Sequence, residues 1–353
     1  MSDQTQIFHH KQISFWAKTC LEAVGVPNEH AQIVAEALVQ TSLWGIDSHG
    51  VARLPHYLGR IQAGSIESNP SIEISETGPC TAKMNGGHGL GIVVCDEAMR
   101  AAIRLAKENG VGMVGVSEST HCGAIGLYSR KAALSGLIGV AFTHSDALVV
   151  PFGGKEKFLG TNPISIAFPR MGREPLCLDM ATSAIPWNRV MNARRENQQL
   201  PNGVALDQSG VFTSNPQDVV SLFPLGGEEY GYKGYGLALM IDILCGPLNG
   251  MPFGPNIPVM YGDLNQRRHL GSLMIAIDPN RFAGGSHLAD TVFLITEMLK
   301  QQAGTVLFPG EPEYMRETER RSTGIPIDSE LLKEMNLWSQ KLNLPLLENT
   351  DRI

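Results

Sequence analysis

The sequence predicts an α/β protein with a non-Rossmann mixed β-sheet core and a helical subdomain formed by both chain ends. Three observations predict it. Apolar residues recur at helical spacing over residues 10–64 and again beyond residue 285, while short strand-like segments punctuated by Gly and Pro fill the middle. Gly110, Gly112 and Gly115 match G-x-G-x-x-G, but they close a helix and open a strand, the reverse of the order a dinucleotide-binding turn needs. The earlier GGHGLG has the right order, yet Ile92 stands where the third glycine belongs, which leaves a tight turn.

Each element follows from a local pattern. Ile13, Trp16, Ala17, Cys20, Leu21 and Val24 define a first helix, and Asn28 is placed to cap a second that runs to about Leu43. A third helix carries GIDSHGVARLPHY and ends near Gly64. With Ser48 as its N-cap, His49, Arg53 and Tyr57 fall at i, i+4 and i+8 and drift down one face. Pro55 disturbs that geometry, because it removes a hydrogen bond inside a helix; a later start with Pro55 in the first turn is the alternative. SIEISETG and TAKMNGG read as strands, VCDEAMRAAIRLAKENG as an amphipathic helix and VGMVGVSES as an apolar strand. HCGAIGLYSRKAALSG, LIGVAFTHSDA, ISIAFP and LCLDMA continue as a helix and three strands. TSAIPWNRVMNARRENQQ enters a helix, and VALDQSGVFTSNP makes a hairpin or excursion. GYKGYGLALMIDILCGPLNG reads as an apolar helix buried on most sides, LGSLMIAIDP as a central strand, and the remainder as helices.

Composition removes several function classes. At 353 residues the chain is long enough for a large core, and its formal charge of −7 does not suit a nucleic-acid partner. No apolar run reaches the roughly 20 residues of a membrane helix, and MSDQTQIFHHK lacks the apolar centre of a signal peptide, so a cytoplasmic location is expected. Cys20, Cys80, Cys95, Cys122, Cys177 and Cys245 are scattered without a C-x-x-C pair, which suits reduced thiols. H-E-x-x-H, G-x-S-x-G and Walker-type loops are all missing, so no metal site is expected from sequence.

The remaining chemistry concentrates in a few places. In GIDSHGVARLPHY, His49 suits a general acid/base, Arg53 a carboxylate clamp and Tyr57 a hydroxyl donor; a solvated helix face explains the same spacing. His121 stands where a strand hands over to a helix, and His144, Ser145 and Asp146 end the next strand, so all could line one cleft or simply form turns. Lys233, flanked by Gly231 and Gly234, could hold an anion at a helix entrance. Asp179, Met180 and Ala181 end a strand and could meet a ligand or cap a helix.

GIDSHGVARLPHYLGRIQAG, STHCGAIG, GGKEKFLGTNPISIAFP, LDMATS, GYKGYGLALMIDIL and FPGEPE, taken in order, make the chain resemble the malate/L-lactate dehydrogenase family that lacks a Rossmann fold. Ureidoglycolate dehydrogenase, sulfolactate dehydrogenase and diketogulonate reductase belong to that family. The resemblance spans about residues 10–330. It implies interconversion of a small 2-hydroxy acid and a 2-oxo acid with NAD or NADP, and a homodimer. It also implies that Ser48, His49, Arg53, Tyr57 and His121 serve substrate and proton transfer, with either histidine as the proton donor. Ser145, Asp146, Thr161, Asp179, Met180, Ala181, Lys233, Gly234, Pro309, Gly310 and Glu311 are the implied cofactor contacts. With it goes a division into a helical subdomain (1–75 and 286–353), a central sheet (76–120 and 230–285) and an NAD(P)-binding subdomain (121–229). PFGPNIPVMYGDL is similar to the ureidoglycolate enzyme, whereas the longer GGEEYGYKG entry departs from it. The rival from the residues alone is a metal-dependent hydrolase using Asp47, His49, His121 and Asp146.

Overall fold

The computed structural model describes residues 5–348, so the first four residues of MSDQTQIFHHK and the last five of the expected helical subdomain lie outside the described residues. In chain order the elements are β1 (Gln6–Phe8), α1 (His10–Ala23), α2 (Asn28–Leu43), α3 (Leu54–Gln62), β2 (Glu73–Gly78), β3 (Thr81–Asn85), α4 (Gly91–Asn109) and β4 (Val111–Ser119). There follow α5 (Gly126–Leu134), β5 (Ile138–Thr143), β6 (Ile164–Arg170), β7 (Arg173–Met180), α6 (Trp187–Glu196), β8 (Ala205–Leu206), β9 (Ser221–Leu222) and α7 (Gly227–Cys245). The chain ends with β10 (Leu270–Ile277), α8 (Gly285–Lys300), α9 (Glu311–Thr323), β11 (Ile325–Ile327) and α10 (Ser329–Lys341).

Seven strands form the central sheet in the order β2-β3-β4-β10-β5-β6-β7, in which β3 and β4 are parallel and every other pair antiparallel. LGSLMIAIDP is therefore central, as its apolar run predicts. Because β10 runs against both of its neighbours, β4 and β5 end on the same edge. The end of β7 and the starts of β6 and β10 arrive there too, since Met180 pairs with Ile164 and Leu270 with Ser119. Polar residues that follow three strands and precede two others are thus gathered along one edge.

The helices of both chain ends share a core. Ile13, Leu21, Leu38, Leu54, Leu58 and Met335 are fully buried in one cluster, each contributing roughly 1.5–3 kcal/mol of burial energy. β1 also pairs antiparallel with β11. The G-x-G-x-x-G match dissolves into three unrelated needs. Gly110 ends α4 at φ +93, a Cβ on Gly112 would stand 2.0 Å from the Ala102 carbonyl oxygen, and one on Gly115 would stand 2.1 Å from Asn249 Oδ1.

Four expectations need correction. Residues 47–53 form two 3₁₀ turns, and α3 begins only at Leu54 with Pro55 in its first turn, where the missing N–H costs nothing. Ser48 is therefore not an N-cap, and His49, Arg53 and Tyr57 do not share a helix face. Asn28 is the first residue of α2 rather than its cap, and it donates to Glu22 Oε1 at 2.6 Å instead. α7 is not enclosed: Gly231, Gly234, Ala238, Ile241 and Cys245 face inward, while Met240 is 51 % and Ile243 44 % exposed. The 120/121 and 285/286 boundaries also do not follow the sheet. β5, β6 and β7 belong to the same sheet as β4, and α8 lies on β6, with Arg170 donating to Thr296 Oγ1 at 3.3 Å.

Candidate active site

Against the gathered strand ends, the 3₁₀ turns before α3 close a cavity of about 340 Å3. The turns bring Ile46, Ser48, His49 and Arg53 to it. The strand ends bring His121, Ser145, Asp146, Thr161, Asp179, Met180 and Ala181.

Arg53 is buried, and three contacts fix its plane. Nε donates to the Ser48 carbonyl, Nη1 to the Tyr261 hydroxyl and Nη2 to Asn188 Oδ1, the last at 3.2 Å. Each terminal nitrogen carries two hydrogens, so one on each remains for a planar oxyanion. Sequence reading missed Tyr261 and Asn188. Their signals were only a tyrosine in the loop PFGPNIPVMYGDL and an asparagine just after Pro186 at a helix start.

The two histidines of the cavity stack with ring centroids 5.4 Å apart and planes inclined by 28°. Ser48 Oγ lies 2.9 Å from His49 Nδ1. His121 Nδ1 lies 2.6 Å from the Tyr57 hydroxyl and 3.3 Å from the Gly123 nitrogen, which leaves Nε2 for a ligand. Tyr57 is thus behind His121 rather than in the cavity wall, and burial pushes its phenol up. Burial, with the Arg53 guanidinium adding to it, pulls His49 down to about 3. His121 is held well below the usual histidine range by burial first, then by His49, Arg53, Arg268 and His56. Both rings keep some surface on the cavity.

Two buried groups hold the wall that carries Tyr261. Arg60 donates to His56 Nε2 at 3.0 Å and to the carbonyls of Met260 (2.8 Å) and Gln266 (3.0 Å). Asp146 accepts from Arg268 Nη2 at 2.6 Å and from the Met260 N–H at 3.3 Å. On the opposite wall, Ser145 Oγ accepts from the Thr161 N–H at 3.1 Å, and Asp179 Oδ2 accepts from the Gly126 N–H at 2.7 Å. Burial raises Asp179 to about 6 against that hydrogen bond, with Glu313 adding to the rise.

Residues 8–336 match the family model for malate/L-lactate dehydrogenase. The chain belongs to that family. It is 40% identical over 308 residues to the ureidoglycolate dehydrogenase (NAD(+)) of Escherichia coli (strain K12), covering 86% of this chain and 87% of that protein. It is 37% identical to the malate/(S)-sulfolactate dehydrogenase of Methanothermus fervidus over 92% of this chain and 95% of that protein. Its fold matches the crystal structure of malate dehydrogenase from Entamoeba histolytica with a TM-score of 0.92 at 30% identity, covering 97% and 99% of the two chains.

Not every residue implied by the family resemblance reaches the cavity within one chain. Lys233 is exposed in the second turn of α7, 5.4 Å from the centre of the Tyr230 ring, rather than at the helix entrance. Gly234 serves packing, since a Cβ there would stand 2.4 Å from the Leu225 carbonyl oxygen. Glu311 is buried against Lys300 and accepts from the Phe308 N–H at 3.3 Å. Pro309 accepts from the Cys177 N–H at 3.1 Å, and Gly310 lines a small crevice beside the cavity. Glu313, in the first turn of α9, reaches the cavity wall instead.

The hydrolase rival fails on the same geometry. Asp47 is turned outward into an ion pair with Arg320 at 2.5 Å, and Asp146 is taken by Arg268. Neither carboxylate is available to share an ion with His49 and His121.

Proposed function

We propose that the chain interconverts a small 2-hydroxy acid and the corresponding 2-oxo acid, with NAD or NADP as hydride partner. One juxtaposition carries the reading. A buried guanidinium with two spare N–H groups shares a small cavity with a histidine whose far nitrogen is engaged by a tyrosine. A 2-hydroxy acid offers a carboxylate and a hydroxyl on adjacent carbons, which is what those two groups recognise.

The cavity also suits a nicotinamide. Leu148, Pro163 and Ala181 make apolar wall, and Ser145, Thr161, Asp179 and the Met180–Ala181 backbone lie beside it. Gly160 must be glycine for the rim to close this tightly, because a Cβ there would stand 2.3 Å from the Ser145 carbonyl oxygen. When bound, the nicotinamide accepts or returns the hydride at C2. The chain's own residues do the rest. Arg53 grips the carboxylate and fixes the orientation of C2, where misplacement is costly. His121 Nε2 takes the hydroxyl proton during oxidation and gives it back during reduction. With Nε2 as the base, Nδ1 keeps its proton in both the neutral ring and the imidazolium, and the Tyr57 hydroxyl accepts from it in both states, which holds the Nε2 lone pair on the substrate. His49, steadied by Ser48, holds the substrate oxygen from the stacked position.

The deciding experiment is an NADH- and NADPH-oxidation screen over pyruvate, oxaloacetate, sulfopyruvate, ketopantoate and diketogulonate, with ureidoglycolate assayed in reverse. Turnover of at least one acid is expected; silence across the panel with both cofactors removes the reading.

A homodimer is part of the proposal. The apolar stripe left open on α7, and Leu294, Ile295 and Met298 on α8, are the kind of faces a second copy covers. Sedimentation at micromolar concentration should give twice the chain mass; a fully active 38.3 kDa species would overturn it.

A further inference from the structure

The same sheet edge carries a second cluster, which the reaction does not use. His88 follows β3, Glu118 is the penultimate residue of β4, and His269 precedes β10. One ligand atom from each lies within 4.8 Å of the other two, and among the described residues this is the one group of three or more His, Cys, Asp or Glu so arranged. Glu118 Oε2 is 3.3 Å from His88 Nδ1 and 2.5 Å from His269 Nδ1, and the two rings stand edge to face at 5.1 Å.

Two further observations set the cluster apart from an ordinary hydrogen-bonded trio. All three residues hold positive φ (His88 59, Glu118 49, His269 47), a region that side-chain-bearing residues rarely enter. His88 Nδ1 is also buried without a hydrogen-bond partner. Arg267, the cation closest in effect to His88, is taken by Glu67 at 2.6 Å and does not neutralise Glu118. The backbone is strained to aim three donors at one point, and one of them has nothing to bind.

The geometry points to a site for a divalent transition-metal ion of the Zn2+, Ni2+ or Co2+ class, held by His88, Glu118 and His269. Two imidazoles and one carboxylate suit that class, not Mg2+ or Ca2+, which take oxygen. Ligands at about 2.0–2.2 Å from a tetrahedral ion stand about 3.3–3.5 Å from one another, close to the spacing of His88 and Glu118. His269 is partly exposed, so water completes the set. The ion would act as a brace. The loop bearing His88 is already stitched to the strand end that leads to His121: His88 N–H donates to the Glu118 carbonyl at 2.7 Å, and Thr120 Oγ1 donates to the Gly89 carbonyl at 2.9 Å.

The test uses the full chain, stripped with a chelator, dialysed and titrated with Zn2+ calorimetrically, with the Co2+ visible spectrum as a second readout. One Zn2+ per chain is expected, with a rise in Tm of about 3 °C at saturation. His88→Asn and His269→Asn, chosen because Asn tolerates positive φ, should each weaken Zn2+ binding at least 10-fold and remove the Tm rise. Glu118→Gln, which keeps the side-chain shape, gives the same comparison if a histidine variant melts early without metal. A wild-type chain that binds no Zn2+, or a His88→Asn/His269→Asn double variant that binds it unchanged, would overturn the site.

Discussion

Two pairs of histidines meet at one edge of one sheet, His49 reaching it from the turns before α3, and their neighbours give them different chemistry. His49 and His121 stack face to face, and burial drives protons off both, helped by Arg53 at each and by Arg268 at His121. His88 and His269 meet edge to face around Glu118. Burial lowers His88 as well, with Arg267 adding to it, but there the Glu118 carboxylate pulls the other way. An imidazole next to a cation is a base waiting for an anionic substrate; one that shares a carboxylate with a second imidazole is a ligand waiting for an ion. Sequence spacing cannot distinguish these cases, because the side chain is the same in both.

The sharpest way to break the comparison is inside the first pair. His121→Asn should lose about 10²–10⁴-fold in kcat, together with the limb of the pH profile that histidine sets. His49→Asn should mainly raise KM and keep that limb. If both variants keep near-normal kcat and the limb, neither ring is the proton carrier and the contrast with the second pair collapses.

Next in size is Arg53, the cation that separates the pairs. Arg53→Lys keeps the charge but loses the planar fork, and should cost about 2–3 kcal/mol in kcat/KM. Wild-type kinetics in that variant would sink the clamp.

Tyr57→Phe removes a hydroxyl from His121 Nδ1 and leaves the ring in place. A loss of about 1 kcal/mol, roughly 5-fold in kcat, is expected, with a displaced pH limb. A change confined to KM would instead mean that Tyr57 supports only packing.

The smallest effect is a shift along the pH axis. In the free enzyme His121 lies well below the usual range, so the limb in kcat/KM should fall at low pH. A bound carboxylate neutralises Arg53 and favours the imidazolium, so the limb in kcat should lie at least about one unit higher. In oxidation, rate rises with pH through each limb; in reduction, it falls. Coincident limbs would show that substrate charge does not reach His121.

Much of this was legible beforehand, for a physical reason. A buried strand announces itself by apolar residues and its exit by polar ones, so His121, Ser145–Asp146 and Asp179 could be picked as cleft residues from local pattern alone. α7 misled because LALMIDIL is apolar at every position but Asp242, which lies on the packed face with Gly234 and Ala238 rather than on the open one. Tyr261 and Asn188 reach Arg53 from segments with no period to read. His88, Glu118 and His269 are brought together by sheet order, which no local signal encodes.

The pairing of β1 with β11 has a consequence for how the protein is made. Gln6 finds its partner at Ile327, so the first helices leave the ribosome long before the segment that covers them exists. At about 5–20 residues per second, α1 to α3 would wait on the order of 15–60 s with their apolar faces open. The turns bearing His49 and Arg53 belong to that waiting half. The nascent chain therefore carries open apolar helix faces until its C-terminal helices emerge, and the turns that bear His49 and Arg53 gain their full support only at the end of synthesis.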